Sequence, residues 1–101
     1  MTAQEFFAAL PERADPVKTA GMHNTYVFDV EGVGQWTVAV EDGTVSVTEG
    51  VGEADCTIRA TEDTLVKIAR GEANPTTAYM TGKLKIKGDM GAAMKLQKLF
   101  S

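Results

Sequence analysis

Between Asn24 and Thr48 apolar side chains recur at every second residue, an alternation that commits this part of the chain to a half-buried sheet. Tyr26, Phe28 and Val30 fall on one side of a first strand, and Glu31-Gly32-Val33-Gly34 supplies a turn. Trp36, Val38 and Val40 repeat the pattern in a second strand, and Val45 and Val47 in a third. Between the last two lies Asp42-Gly43, a dipeptide that accepts the positive φ angles of a tight hairpin turn. A three-stranded meander follows.

Beyond the meander the period changes more than once. Cys56, Ile58 and Ala60 alternate with Thr57, Arg59 and Thr61 as a fourth strand. Thr61 suits a helix cap, Glu62 and Asp63 suit its positive end, and Leu65, Val66, Ile68 and Ala69 form its apolar side before Arg70-Gly71 closes it. Asn74-Pro75 opens a further short helix through Tyr79 and Met80 to Gly82, and Lys83–Gly88 alternates as a fifth strand. Asp89 caps a final helix predicted to run unbroken to Phe100. At the other end, residues 2–10 read as a helix with Phe6, Phe7 and Leu10 on one side, stopped by Pro11, and the polar stretch Glu12 to Gly21 as a connection. The order predicts an α+β fold, a five-stranded, mostly antiparallel sheet covered on one face by helices.

A chain of 101 residues can bury one core, so a single domain over residues 1–101 is expected. No apolar run approaches the roughly 18 residues of a membrane span. The start Met1-Thr2-Ala3-Gln4-Glu5 has no secretory pattern, Leu99-Phe100-Ser101 is not a peroxisomal address, and Cys56 has no second cysteine to pair with, so a cytoplasmic location is expected.

The net charge of −4 is unevenly spread: residues 1–82 carry thirteen acids against five bases, whereas residues 83–101 carry five lysines against Asp89. An acidic whole argues against nucleic acid as a partner. The basic end suits transient contact with an anionic membrane surface through Lys83, Lys85, Lys87, Lys95 and Lys98. The plainer alternative is that Lys83, Lys85 and Lys87 keep an edge strand charged against edge-to-edge pairing.

Catalysis by a side-chain nucleophile needs a nucleophile, a base and a group to orient the base, and the inventory is thin. His23 precedes the first strand as a solvated histidine, Cys56 points with Ile58 toward the apolar side as a small hydrophobe, and the serines are Ser46 and Ser101. One His and one Cys far apart form no zinc motif. Gly88-Asp89-Met90-Gly91 lacks the spacing of a phosphate loop. No catalytic residue, metal or cofactor is therefore expected.

Gly71, Asn74-Pro75, Ala78-Tyr79-Met80, the run Gly82 to Met90 and Met94-Lys95-Leu96-Gln97-Lys98-Leu99-Phe100 together resemble the sterol carrier protein two family. Trp36-Thr37-Val38 with Asp42-Gly43 and Ala54-Asp55-Cys56-Thr57-Ile58 are similar to it too, so the resemblance covers nearly the whole chain. It implies a five-stranded sheet backed by helices, a hydrophobic tunnel that accepts fatty acids, acyl-CoAs and sterol-like lipids, and no family-wide catalytic residue.

The last helix points the same way on its own. At about 100° per residue, Met90, Ala92, Ala93, Met94, Leu96, Leu99 and Phe100 cover more of its circumference than docking on a sheet requires, and Gln97 lies within that arc. With a tunnel closed by this helix, the expected ligand-binding residues are Trp36, Leu65, Ile68, Tyr79, Met80, Leu84, Ile86, Met90, Met94 and Gln97. Flexible thioethers at three of these positions suit ligands of varied shape, although methionine also fills irregular cores. The expected function is that of a non-enzymatic lipid carrier. Its alternative is an accessory or protein-interaction domain of the same fold with no transfer activity.

Overall fold

The computed structural model describes residues 1–100; the Phe100 side chain and Ser101, both named above, lie outside the described residues. Its elements in chain order are α1 (Ala3–Arg13), β1 (His23–Val30), β2 (Gly34–Glu41), β3 (Thr44–Glu49), β4 (Cys56–Ala60), α2 (Glu62–Ala69), α3 (Pro75–Met80), β5 (Leu84–Gly88), α4 (Met90–Met94) and α5 (Leu96–Phe100).

The sheet order is β3-β2-β1-β4-β5. Every pairing is antiparallel except β1 with β4, which run parallel in the register Phe28 to Ile58. The hairpin at Asp42-Gly43 has φ angles of 43° and 86°, the left-handed pair that matches the twist of the flanking strands. After β3 the chain leaves one edge of the meander and enters β4 beside β1. Gly52 rests against the Thr37 side chain on the way, and the backbone N–H of Asp55 donates to the Thr25 carbonyl.

Alternation decides which sheet face is covered. Tyr26, Phe28, Val30, Trp36, Val38, Val40, Cys56, Ile58, Ala60 and Leu84 are buried on the side that receives the helices, while Thr25, Asp29, Arg59, Lys85 and Lys87 point the other way. Arg59 there pairs with Glu31 at 3.1 Å.

Helix α1 departs from its predicted end. Pro11 lies inside it and the helix continues to Arg13. Proline removes one backbone donor, but Phe6, Phe7 and Leu10 before it and Ala14 after it are buried and hold the turn. Beyond the proline the Arg13 guanidinium lies 5.4 Å from the Phe6 ring centroid and donates to the Ala69 carbonyl of α2. At its start Thr2 and Glu5 form a reciprocal capping box, and the Glu62 carboxylate accepts from the Ala3 N–H.

The last helix also departs from expectation. It is two short helices with a break at Lys95, where the Lys95 N–H donates to Ala92 rather than one residue further back. The Ala92 carbonyl also accepts from the buried Tyr26 hydroxyl at 2.6 Å. That bond ties α4 to the middle of the sheet at the turn where the helix tightens.

Candidate functional site

Strand β5 is one edge of the sheet, and α3 precedes it while α4 and α5 follow it. Asn74 caps α3 by accepting from the N–H groups of Thr76 and Thr77, and Gly82, at φ 78°, turns the chain into β5. Gly88, at φ 118°, ends β5 against Cys56, and the Asp89 carboxylate accepts from Gly91 and Ala92 to start α4. Ala92, Ala93, Leu96 and Leu99 form the buried stripe of α4 and α5. Met90, Met94 and Gln97, spaced four and three residues apart, share the neighbouring face.

That face, α3 and the edge strand enclose a groove of about 270 Å³. Leu84 and Ile86 of β5, Pro75, Thr76, Tyr79 and Met80 of α3, and Met90, Ala93, Met94, Leu96 and Gln97 of α4 and α5 line it. Among these described lining residues none is charged. Among the described residues, hollows of about 440 Å³ beside Asp63, Lys67 and Glu72 and about 530 Å³ beside Glu53 and Asp55 are larger, but charged side chains line both. Apolar lining, not size, singles out the β5 groove.

Seven of the ten residues expected to bind ligand therefore meet at one place: Tyr79, Met80, Leu84, Ile86, Met90, Met94 and Gln97. Trp36, Leu65 and Ile68 do not. Trp36 stacks on Phe7 with ring centroids 4.6 Å apart, and Leu65 and Ile68 are buried on α2. Strand order explains the separation, since β2 lies three strand spacings, about 14 Å, from β5. Alternation marks these residues as inward-facing without telling which part of the interior they reach. Pro75, Thr76, Ala93 and Leu96 complete the lining; the first two read in the sequence only as a helix start.

The enclosure is also looser than the predicted tunnel. Met80 is 79% exposed and Met94 81%, with Tyr79 and Met90 near half, so the site is a groove with an apolar mouth. Of the five lysines, Lys85 and Lys87 alternate with Leu84 and Ile86 and leave the opposite sheet face, whereas Lys95 and Lys98 stand on the same helices as the mouth.

The groups with chemical potential elsewhere are restrained. Burial pushes the Cys56 thiol up to about 11, with Asp55 and Asp89 adding to the shift, so it is uncharged at neutral pH. Burial likewise raises the Tyr26 hydroxyl. His23 makes an exposed 2.7 Å contact with Glu41 at the far end of the meander. Among the described residues no group of three His, Cys, Asp or Glu side chains is placed to hold a metal ion.

The profile of the SCP-2 sterol transfer family matches residues 4–101. The chain belongs to that family. Sterol carrier protein 2 of Bos taurus is 48% identical over 65 residues, which cover 63% of this chain and 12% of that protein. The sterol carrier protein domain 2 of Helicoverpa armigera is 30% identical with a TM-score of 0.76, over 94% of this chain and 82% of that one. The sec-alkylsulfatase Pisa1 from Pseudomonas sp. contains the same fold, with a TM-score of 0.85 and 28% identity over 99% of this chain and 16% of that enzyme. This SCP-2 chain thus matches the sterol carrier domain of Helicoverpa over most of its length, and the bovine protein and the sulfatase over a small part of theirs.

Proposed function

We propose that this chain is a non-enzymatic lipid carrier that holds the apolar portion of a fatty acid, acyl-CoA or sterol-like lipid in the groove between α3, β5 and α4–α5. The observation that carries the reading is a concave site of about 270 Å³ whose described lining has no charged side chain, in a chain of the SCP-2 sterol transfer family. Each methylene moved from water into such a site contributes about 0.8 kcal/mol, so eight buried methylenes would contribute about 6 kcal/mol before the cost of ordering the ligand. Affinity of this origin is insensitive to head-group identity. Met80, Met90 and Met94 suit it, because unbranched thioethers refit to chains of different shape.

Native mass spectrometry of freshly purified protein should show a bound species with the mass of a lipid. After delipidation, titration with a fluorescent fatty acid should saturate at one site, and Ile86→Trp, which fills the groove floor, should weaken binding at least tenfold. Absence of copurifying lipid together with no fatty-acid binding by the parent protein would overturn the carrier reading. The 16% coverage of Pisa1 would then favour the second reading, an accessory domain whose fold serves a larger enzyme.

A further inference from the structure

Strands β3 and β5 are the two edges of the sheet, and they are guarded unequally. Lys85 and Lys87 stand along β5, which ends at the left-handed Gly88, and charge of this kind blocks pairing with a second chain. Strand β3 has neither lysine, arginine nor proline, and it pairs with β2 residue for residue without a bulge. The hairpin register decides which of its backbone groups are free. The Gly50 N–H donates to the Gln35 carbonyl, and the same register bonds Thr44, Ser46 and Thr48 to β2. Val45 and Val47 therefore direct their N–H and C=O groups out of the sheet, where they meet no partner among the described residues.

The partner that fits this edge is written in the strand itself, because Thr44-Val45-Ser46-Val47-Thr48 reads the same in both directions. Laid antiparallel on a second copy about Ser46, each residue meets its own kind: Thr44 lies opposite Thr48, Val45 opposite Val47, and Ser46 opposite Ser46. The free backbone groups suit this register. Val45 of each copy exchanges main-chain hydrogen bonds with Val47 of the other, while the Thr and Ser hydroxyls meet on the exposed sheet face. Glu49 falls opposite Gly43 and Asp42 opposite Gly50, so no acid is set against an acid.

We propose that β3 pairs with β3 of a second copy about a two-fold axis at Ser46, joining two sheets into one. The contact is isologous and closes at the dimer. The β5 groove lies at the opposite edge of each sheet, so both grooves stay open, about 43 Å apart at nine strand spacings of about 4.8 Å. Such a dimer forms whatever the groove holds.

Pairing over so short a strand makes a small and therefore weak interface, so sedimentation velocity on the full chain should show dimers growing in between about 10 µM and 1 mM. Each copy carries a net charge of −4, and association should strengthen with salt. Ser46→Lys sets two ammonium groups together at the axis and should weaken dimerisation about fivefold or more. Ser46→Glu should do the same, and an equimolar mixture of the two variants should dimerise again. Gln35→Lys makes the same charge change as Ser46→Lys at an exposed position of β2 and should stay within about twofold of the parent. Matching melting curves would verify that each variant folds.

Cysteine exchange reads the register. The two Ser46 positions form a non-hydrogen-bonded pair with Cα atoms about 4.5 Å apart, within disulfide reach, whereas the two Thr48 positions stand about 14 Å apart. Under mild oxidation Ser46→Cys should crosslink to a dimer and Thr48→Cys should not, while the parent, whose Cys56 is buried, stays uncrosslinked. A parent that is monomeric at about 1 mM, with no crosslink through Ser46→Cys, would overturn the proposal. So would equal crosslinking at positions 46 and 48. Association that weakens with salt and grows beyond a dimer would assign β3 to the lysine-bearing β5 edge of the next copy, a head-to-tail contact that also overturns the two-fold pairing.

Discussion

Tyr26 shows how one atom can matter more than the pattern that carries it. In the alternation of β1 it counts as one inward apolar residue among several, and its ring is buried accordingly. Its hydroxyl, however, donates to the Ala92 carbonyl, the carbonyl that also receives the Lys95 N–H where α4 ends. Tyr26→Phe keeps the ring and removes this donor, leaving Ala92 with its Lys95 partner, so the expected cost is roughly 1 kcal/mol by chemical denaturation. The same change should speed amide exchange in residues 90–99 more than in β1, because the lost bond is the tie of α4 to the mid-sheet. Uniform exchange across the chain would count against this local role. No periodicity reveals such a bond, because the partner is a backbone atom 66 residues away.

Elements were legible in the sequence where a local rule governs them and less so where a distant contact does. The meander, the caps at Thr61, Asn74 and Asp89 and the strand β5 follow from alternation, turn dipeptides and capping residues, all within a few positions. The continuation of α1 past Pro11 depends on packing from outside the helix, and so does the break at Lys95. The parallel pairing of β4 with β1 depends on where the Gly50–Asp55 connection delivers the chain, which its composition does not encode. Gly88 is the hinge on which this part of the molecule depends. At φ 118° a Cβ there would lie 2.6 Å from the Asp55 carbonyl oxygen and 2.8 Å from the Cys56 Cα, both backbone atoms that cannot yield separately. Gly88→Ala is therefore expected to cost roughly 1–3 kcal/mol and to displace α4 from the sheet. Gly91→Ala, where a Cβ would meet only the flexible Asp89 carboxylate at 3.1 Å, should stay within about 1 kcal/mol of the parent. Equal effects on denaturation midpoints at the two glycines would show that the close approach of β5 to β4 is not what Gly88 serves.

At the scale of the whole molecule, a core built mainly between the sheet and α1, α2 and α4 leaves the β5 edge only partly covered. Seven of the residues expected to bind ligand meet at that edge because Leu84, Ile86 and the stretches 75–80 and 90–97 are neighbours in sequence as well as in space. Trp36, Leu65 and Ile68 share their apolar character but belong to the closed part of the interior. A site left open in this way couples ligand to stability, since a lipid that binds the folded chain and not the unfolded one adds free energy by mass action. At a free concentration one hundred times its dissociation constant, the gain is about 2.7 kcal/mol. For a domain of about 100 residues each kcal/mol moves the melting temperature by roughly 4–8 °C, so saturating delipidated protein with fatty acid should raise its melting temperature by about 10–20 °C. Ile86 is half-buried on an edge strand and tolerates a large aromatic, so Ile86→Trp should melt near the parent when both are free of lipid. Its indole occupies the groove, and at the same fatty acid concentration a tenfold weaker affinity should cut the rise to about half or less. Calorimetry on both proteins, with and without ligand, measures all four values. A shift of equal size in parent and variant would mean that the stabilising lipid sits somewhere other than the groove beside β5.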